Sequence, residues 1–228
     1  MTTWRVTEIL NPQLYRPDFP ILNRTIDDGR PLVYFDNAAT TQRPRQVIEA
    51  ITETYEMHYG NVHRGIHRLA DETTELYENA RQRIAQFLNA KSHEEIVFTS
   101  GATAGINLVA RAWGDAYVQE GDEILVSELE HHSNLVPWFQ LAERTGAVIR
   151  YIPITDEGLL AREQLERLLS PRTKLVAITA VSNVLGTIVP LTEIIAAAHA
   201  TGALVLVDAA QSVPHRKTDV QSLNADFL

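Results

Sequence analysis

The sequence predicts an α/β fold in which a mostly parallel sheet is covered by helices on both faces. Apolar runs of strand length alternate with stretches that repeat apolar residues at helical spacing. The runs are continuous rather than alternating between apolar and polar residues, as expected of strands buried on both faces. The predicted strands cover residues 95–98, 123–126, 148–152, 174–179 and 203–207. The predicted helices between them cover residues 103–113, 133–145, 161–169 and 191–201.

The first part of the chain is organised differently. Residues 1–30 are polar and interrupted by prolines, which predicts a leader segment with at most one short helix. Residues 31–228 are predicted to form one large domain. It begins with a short strand over residues 32–35 and a polar turn over 36–41, followed by helices over 44–57 and 71–88. Residues 224–228 have the pattern of a further buried strand, so we expect the chain to end inside its fold.

Composition excludes several classes of function. The 228 residues include 45% hydrophobic and 21% charged side chains, which is ordinary for a globular protein, and the net charge is -9. That charge argues against a nucleic-acid or anionic-membrane binder. The absence of cysteine excludes disulfides, thiolate metal sites and a thiol nucleophile from this chain. No basic region precedes an apolar run near the N-terminus, and no run is long enough to span a membrane, so we predict a cytoplasmic protein.

Polar residues follow four of the predicted strands. Ligands bind beyond the carboxyl ends of the strands in an open parallel sheet, so these segments are expected to converge at one edge. They cover residues 99–103, 127–133, 181–187 and 208–212.

The segment 99–103 is a turn of small residues that opens a helix. Free backbone N–H groups and the positive end of the helix favour an anion there, and Gly101 allows a phosphate to approach closely. An ordinary helix cap formed by Ser100 or Thr103 explains the same residues. The segment is not a nucleotide-binding P-loop, because no Gly-Lys-Ser/Thr follows it.

Asp208 and the pair His131–His132 each follow a predicted strand. A carboxylate at the end of a buried strand needs a cation or hydrogen-bond donors, and a protonated pyridine nitrogen is one such cation. A cap of the next turn is the structural alternative for Asp208. An imidazole in the His131–His132 loop can stack on a flat ring or transfer protons. A metal site that also draws on His58, His63 and His67 is the alternative, but it is not expected, because the sequence lacks a helical His-Glu-x-x-His motif.

Five segments together resemble the class V aminotransferase group, and within it the cysteine desulfurases of the sulfur-mobilisation branch, which includes selenocysteine lyase-like enzymes. These segments are YFDNAATT at 34–41, VHRGIH at 62–67, EHHSN at 130–134, VSNVLGT at 181–187 and VDAAQS at 207–212. The resemblance covers residues 20–228. It implies the fold of the fold-type I pyridoxal-phosphate enzymes, incomplete at the C-terminus, and a homodimer in the full-length family.

The resemblance also implies roles for individual residues toward pyridoxal 5'-phosphate and L-cysteine. Thr103 and the backbone around Ala102 would hold the cofactor phosphate, and Asp208 would bind the pyridine nitrogen. His132 would stack on the ring and take part in proton transfer. The remaining implied contacts are Gln211 with the ring hydroxyl, Asn183 near that hydroxyl and the substrate carboxylate, and the Ala38 backbone near the substrate.

The sequence departs from the family pattern in its later parts. The family's cofactor-binding lysine normally follows one further strand after the aspartate, and Lys91, Lys174 and Lys217 are poor matches to it. The catalytic-cysteine loop, the carboxylate-binding arginine and the C-terminal small domain are also expected to be absent. We therefore expect a fragment of a desulfurase that transfers sulfur from L-cysteine to an enzyme thiol for iron–sulfur cluster assembly, with a possible sulfur-acceptor protein. The isolated chain is expected to be inactive. A non-catalytic dimerisation or binding module and a selenocysteine lyase are the alternatives.

Overall fold

The computed structural model describes residues 11–228, which divide into two units between Asn79 and Ala80. Residues 1–10 lie outside the described residues, together with the first part of the predicted leader and the segment considered for a secretory signal. No helix among the described residues is long and apolar enough to cross a membrane.

A parallel sheet forms the centre of the second unit. Its four strands are β1 (Glu123–Ser127), β2 (Val148–Ile152), β3 (Thr173–Thr179) and β4 (Leu204–Asp208). They lie in the order β2-β1-β3-β4, and every neighbouring pair is parallel. Ser127 pairs with Ile152 and Thr179 pairs with Asp208, so the carboxyl ends of the strands meet at one edge. The predicted parallel α/β fold is confirmed.

Nine α-helices occur among residues 11–228. They are α1 (Pro12–Tyr15), α2 (Arg45–Glu53), α3 (Arg68–Leu88), α4 (Ala102–Val109), α5 (Asp115–Tyr117), α6 (Val136–Thr145), α7 (Arg162–Leu168), α8 (Leu191–Ala200) and α9 (Val220–Leu223). A π-helical turn, Thr54–His58, extends α2, and a second one, Ala110–Gly114, joins α4 to α5. Short 3-10 turns cover Arg16–Asp18, Pro20–Asn23, His93–Glu95 and His132–Asn134. The helices predicted along the chain are confirmed, with shifts of a few residues at their ends.

The core lies on both faces of the sheet. Because successive side chains of a strand point to opposite faces, neighbouring residues of β1 belong to different clusters. Leu125 packs in one cluster with residues of α7 and α8, while Ile124 packs in the other with residues of α4 and α6. Trp138 of α6 is the largest side chain buried completely in the second cluster. The sheet is therefore covered on both sides.

The strand predicted over residues 95–98 is wrong. Residue 95 ends a 3-10 turn, and Ile96 continues with an extended backbone that has no strand partner among the described residues. Arg81 donates to the Ile96 carbonyl, and Val97 is 62% exposed. An extended segment becomes a strand only where a neighbour supplies its hydrogen bonds, and the local sequence does not specify that neighbour.

Two further expectations need correction. Residues 32–35 are not a strand, since the nearest bridge joins Thr25 to Pro31 and Phe35 is 94% exposed. The turn after them forms over residues 37–39. The strand β2 exists where predicted but is not buried along its length, because it lies at the edge of the sheet and leaves Tyr151 partly exposed.

The segment after α9 returns to the sheet beside β4. Asn224 adopts a left-handed conformation that ends α9. The amides of Asp226 and Phe227 donate to the Val205 carbonyl, and Val207 donates to the Phe227 carbonyl. Phe227 forms an isolated parallel bridge with Leu206, so the buried strand predicted over residues 224–228 is reduced to this bridge, and Leu228 is 46% exposed.

Candidate functional site

The segments that follow β1, β3 and β4 meet at the carboxyl edge of the sheet. The Ala180 amide donates to the Asp208 carbonyl at 2.9 Å, and the Thr179 amide donates to Glu130 Oε1 at 2.8 Å. The start of α4 joins them through Thr103, whose Oγ1 lies 2.6 Å from Ser133 Oγ. The predicted convergence of these segments is confirmed within the second unit.

The start of α4 is shaped to admit an anion. Gly101 has φ 137°, a region that residues with a side chain rarely adopt, and a Cβ placed there would meet no atom within 4 Å. The first N–H groups of a helix have no intrahelical acceptor. The hydroxyl of Thr103 adds a donor at the second helical position. This combination of open space, amide donors and a hydroxyl suits a phosphate.

The histidines predicted at the site follow β1, and His131 directly precedes the 3-10 turn His132–Asn134. His131 Nδ1 accepts from the Ser133 amide at 3.1 Å and lies 2.9 Å from the Ser133 hydroxyl. The His132 ring is exposed, with its centroid 6.1 Å from that of His131 at an angle of 72°. The hydrogen bonds of His131 therefore stabilise the turn, while the ring of His132 is accessible to a ligand.

Asp208 ends β4 and is 8% exposed. Its Oδ1 accepts from the Ala210 amide at 3.0 Å, so the capping role considered for this carboxylate is present. The cap does not exclude a cation, because a carboxylate accepts several hydrogen bonds. Gln211 lies in the following turn and is half-buried.

Asn183 and Ala38 lie on turns. The Ser182 hydroxyl accepts from the amides of Val184 and Leu185, at 3.3 and 3.2 Å, and so shapes the exposed turn that carries Asn183. Ala38 lies in the turn over residues 37–39 of the first unit. Its predicted approach to the substrate stays a prediction.

Glu130 is a site residue to which the sequence assigned no role. Its Oε1 accepts from the Ser127 hydroxyl and from the Thr179 amide, and its Oε2 accepts from Asn134 Nδ2 at 2.7 Å. Burial raises the pKa of Glu130 to about 7, against the effect of these hydrogen bonds, and the nearby charge of Asp208 raises the pKa further. A carboxylate just after a buried strand is the signal that identified Asp208, and it applies to Glu130 as well.

The histidines considered for a metal site have separate partners in the first unit. His58 Nδ1 lies 2.9 Å from Glu72, and His63 Nε2 lies 3.0 Å from Glu78. His67 Nδ1 accepts from the Ala70 amide at 3.3 Å. Within residues 11–228, no three metal-binding side chains are grouped for a metal ion.

The three lysines lie in different parts of the second unit. Lys174 is at the amino end of β3, opposite the edge that carries Asp208, and its Nζ is 4.0 Å from Asp122. Lys91 precedes the 3-10 turn His93–Glu95, and Lys217 is exposed in the connection before α9.

Residues 33–228 match the family model described as aminotransferase class-V. The chain belongs to the class-V aminotransferase family. A curated relative from Enterobacter, named cysteine desulfurase, is 55% identical over 93% of this chain and 52% of its own length. The chain spans about half the length of the curated relatives it matches.

Solved structures agree with this membership and with the fold-type I architecture. The cysteine desulfurase CsdA from Escherichia coli superposes with a TM-score of 0.84 at 41% identity, covering 96% of this chain and 53% of that one. A variant of C-DES with glycine covalently linked to its pyridoxal-phosphate cofactor superposes with a TM-score of 0.78 at 28% identity, over 92% and 53%. The class-V aminotransferase family depends on this cofactor. The residues at the sheet edge can therefore be compared with the groups that pyridoxal phosphate requires.

The residues at the sheet edge fit that cofactor. A cavity of about 390 Å³ lies between α4, the end of β4 and residues 226–228. Of the predicted cofactor-binding residues its lining includes Ala102 and Asp208, but not Thr103, His132, Asn183 or Gln211. Its volume lies within the usual range of small-molecule sites. A larger cavity of about 530 Å³ is lined by parts of 188–193 and 212–223 and includes no predicted cofactor-binding residue. A phosphate needs donors such as those at the start of α4, and a cationic nitrogen needs a carboxylate such as that of Asp208.

Proposed function

We propose that the chain is part of a pyridoxal-phosphate-dependent cysteine desulfurase, which converts L-cysteine to L-alanine and transfers the sulfur to an enzyme thiol. The observation that carries the proposal is the placement of the α4 start, the His132 turn and Asp208 along one edge of the sheet. Supply of sulfur to iron–sulfur cluster assembly is the proposed role of the reaction.

The cofactor's phosphate and pyridine nitrogen require opposite charges from the protein. The amide of Ala102 and the amide and hydroxyl of Thr103 would donate to the phosphate at the positive end of α4. The carboxylate of Asp208 would hold the protonated nitrogen, and its burial strengthens that interaction. When bound, the cofactor supplies an electron sink for the substrate carbons.

The other site residues would orient the ring and the substrate. The exposed imidazole of His132 would stack on the ring, and it would carry protons near neutral pH. Gln211 would hydrogen-bond the ring hydroxyl, and Asn183 would reach that hydroxyl and the substrate carboxylate. Ala38 would contact the substrate through its backbone. The homodimer, a sulfur-acceptor partner, the cytoplasmic location and the division into a leader (1–30) and a partial large domain (31–228) remain predictions.

Binding of pyridoxal phosphate tests the site directly. The dissociation constant is measured by fluorescence titration for the wild-type chain and for Thr103→Val. Loss of a hydrogen bond to a charged group weakens binding by about tenfold or more. Thr192→Val is the matched control, because Thr192 is also exposed and is also the second residue of its helix, α8. Equal affinity of Thr103→Val and wild type would argue against phosphate binding at α4.

The chain of 228 residues is proposed to lack turnover on its own. Lys174 lies at the opposite end of β3 from the proposed cofactor site, Lys91 precedes the 3-10 turn His93–Glu95, and Lys217 is exposed in the connection between β4 and α9. Alanine formation from L-cysteine is measured with saturating cofactor. We expect a rate equal to that of the free cofactor, and a protein-dependent rate would contradict this part of the proposal.

A further inference from the structure

Glu130 joins three elements at the edge of the sheet. Its carboxyl group accepts hydrogen bonds from the Ser127 hydroxyl of β1, the Thr179 backbone amide of β3 and the Asn134 side-chain amide of its own segment. These bonds fix both oxygen atoms of a side chain that follows β1 by three residues.

Two of the three donors cannot change roles. The Thr179 amide can only donate, and the orientation of Asn134 is set by Trp138, whose Nε1 donates to Asn134 Oδ1 at 2.9 Å. Asn134 Nδ2 must therefore face Glu130 Oε2 as a donor. An ionised carboxylate accepts all three hydrogen bonds. A protonated Glu130 would place its own hydrogen opposite one of these donors, unless the Ser127 hydroxyl turned from donor to acceptor.

The segment that Glu130 holds carries the candidate ligand-binding groups. The next three residues are His131, His132 and Ser133, and Ser133 Oγ lies 2.6 Å from Thr103 Oγ1 at the start of α4. A shift of the turn over residues 131–133 would move the His132 ring and the Thr103–Ser133 pair together. The position of this turn therefore affects both the ring and the phosphate ends of the proposed site.

The charges around Glu130 are few. Among residues 11–228, Asp208 at the end of β4 is a charged group from another element that acts on it. Ser127 and Thr179, which face it from β1 and β3, carry no charge. Its own segment adds His131 and His132 on one side and Glu128 on the other, with Glu128 Oε2 accepting from the Ile154 amide at 3.1 Å.

Glu130 changes its protonation within the physiological range, because burial and the charge of Asp208 raise its pKa to about 7. Below that pH the carboxyl group is neutral, and hydrogen bonds to a neutral acceptor are about half as strong as those to a carboxylate. The hydrogen bonds to Glu130 that fix the turn over residues 131–133 therefore weaken as the pH falls.

We propose that Glu130 is a positioning residue of the cofactor site, which in its ionised form fixes the turn over residues 131–133 against the start of α4 and relaxes that turn when protonated. This inference rests on the proposed function for its ligand, pyridoxal phosphate. It assigns Glu130 no contact with the cofactor.

The first test needs no cofactor. The amide of Thr179 donates to Glu130, so its NMR chemical shift reports the ionisation of this carboxyl group. We expect the Thr179 signal to titrate with a midpoint of about 7 in the wild type and in Glu128→Gln, and to stay flat in Glu130→Gln. The chemical shift of the Ser133 amide, which donates to His131 in the same turn, is recorded as the control signal.

The second test measures cofactor affinity against pH. The dissociation constant of pyridoxal phosphate is determined at about pH 6 and about pH 8 for the wild type, Glu130→Gln and the control Glu128→Gln. Protonation weakens the hydrogen bonds to Glu130, so binding should be weaker at the lower pH. The dissociation constant at about pH 6 divided by that at about pH 8 is therefore expected to be up to about tenfold larger in the wild type and the control than in Glu130→Gln. Titration of the cofactor itself affects all three proteins equally and cancels in this comparison.

The outcomes separate the inference from the proposed function. Equal ratios in all three proteins, or a Thr179 signal that still titrates in Glu130→Gln, would overturn the role of Glu130 while leaving cofactor binding intact. Failure of the wild type to bind pyridoxal phosphate at either pH would refute the proposed function. In that case the Thr179 titration alone decides whether Glu130 holds the turn.

Discussion

Replacement of Glu130 by glutamine should change how the free energy of unfolding depends on pH. In the folded chain burial raises the pKa of this carboxyl group from 4.5 to about 7. Between these values the folded state binds more protons than the unfolded state, so stability falls as the pH rises. The stabilising effect of the raised pKa is complete below about pH 4.5 and lost above about pH 7.

The magnitude follows from the two pKa values. Each pH unit over which the folded state alone keeps the proton changes the free energy of unfolding by about 1.4 kcal/mol. Over the interval from 4.5 to about 7 the total is on the order of 3 kcal/mol. Glutamine cannot ionise, and its amide conflicts with the Asn134 donor, which adds a cost that does not depend on pH.

Urea denaturation at several values between about pH 5 and about pH 8 measures the effect. As the pH rises across this range, the unfolding free energy of the wild type should fall by up to about 3 kcal/mol relative to that of Glu130→Gln. Glu128→Gln removes an exposed carboxylate from the same segment and should follow the wild type. Parallel pH profiles for Glu130→Gln and wild type would refute the assignment of a raised pKa to Glu130.

Three further substitutions test the cofactor site and its support. Asp208→Asn should weaken pyridoxal-phosphate binding by about tenfold or more, because it removes the charge proposed to hold the pyridine nitrogen, and fluorescence titration measures this. Trp138→Phe should destabilise the chain by about 1–3 kcal/mol in urea, because the buried Asn134 oxygen loses its donor. Gly146→Ala should destabilise it by about 1–2 kcal/mol, because this residue ends α6 with φ 78°.

Each of these has a result that would contradict it. Unchanged affinity in Asp208→Asn would remove Asp208 from the proposed site, and unchanged stability in Trp138→Phe would mean that the Asn134 oxygen finds another donor. Gly105→Ala serves as the control for Gly146→Ala, since a Cβ there meets only Thr99 Oγ1 at 3.7 Å. Equal effects of the two glycine substitutions would argue against a conformational cause.

The central sheet could be predicted from the sequence because burial on both faces leaves a local signal. Runs such as 175–178 are apolar throughout, and this pattern alone indicates strands covered by helices. The segments 32–35 and 95–98 carry a similar apolar signal but form no strand. Pairing depends on a neighbour distant in sequence, so an apolar run predicts burial more securely than it predicts a strand.

The convergence of the segments that form the candidate site was predictable for the same reason. Asp208 and His132 follow predicted strands, and parallel strands bring such residues to one edge. Glu130 was missed because its importance depends on the Thr179 amide, 49 residues away, and on burial that the sequence does not reveal. The Thr103–Ser133 contact likewise joins segments whose distance could not be deduced from either one.

The most direct test of the proposed cofactor site, and of the proposal that no lysine of this chain binds the cofactor covalently, combines absorbance with mass analysis. The chain is mixed with one equivalent of pyridoxal phosphate, passed through a desalting column, treated with borohydride and digested. We expect cofactor absorbance to be retained with the protein, with no added mass on Lys91, Lys174 or Lys217. Loss of all cofactor on the column, or a reduced adduct on any of these lysines, would contradict this assignment.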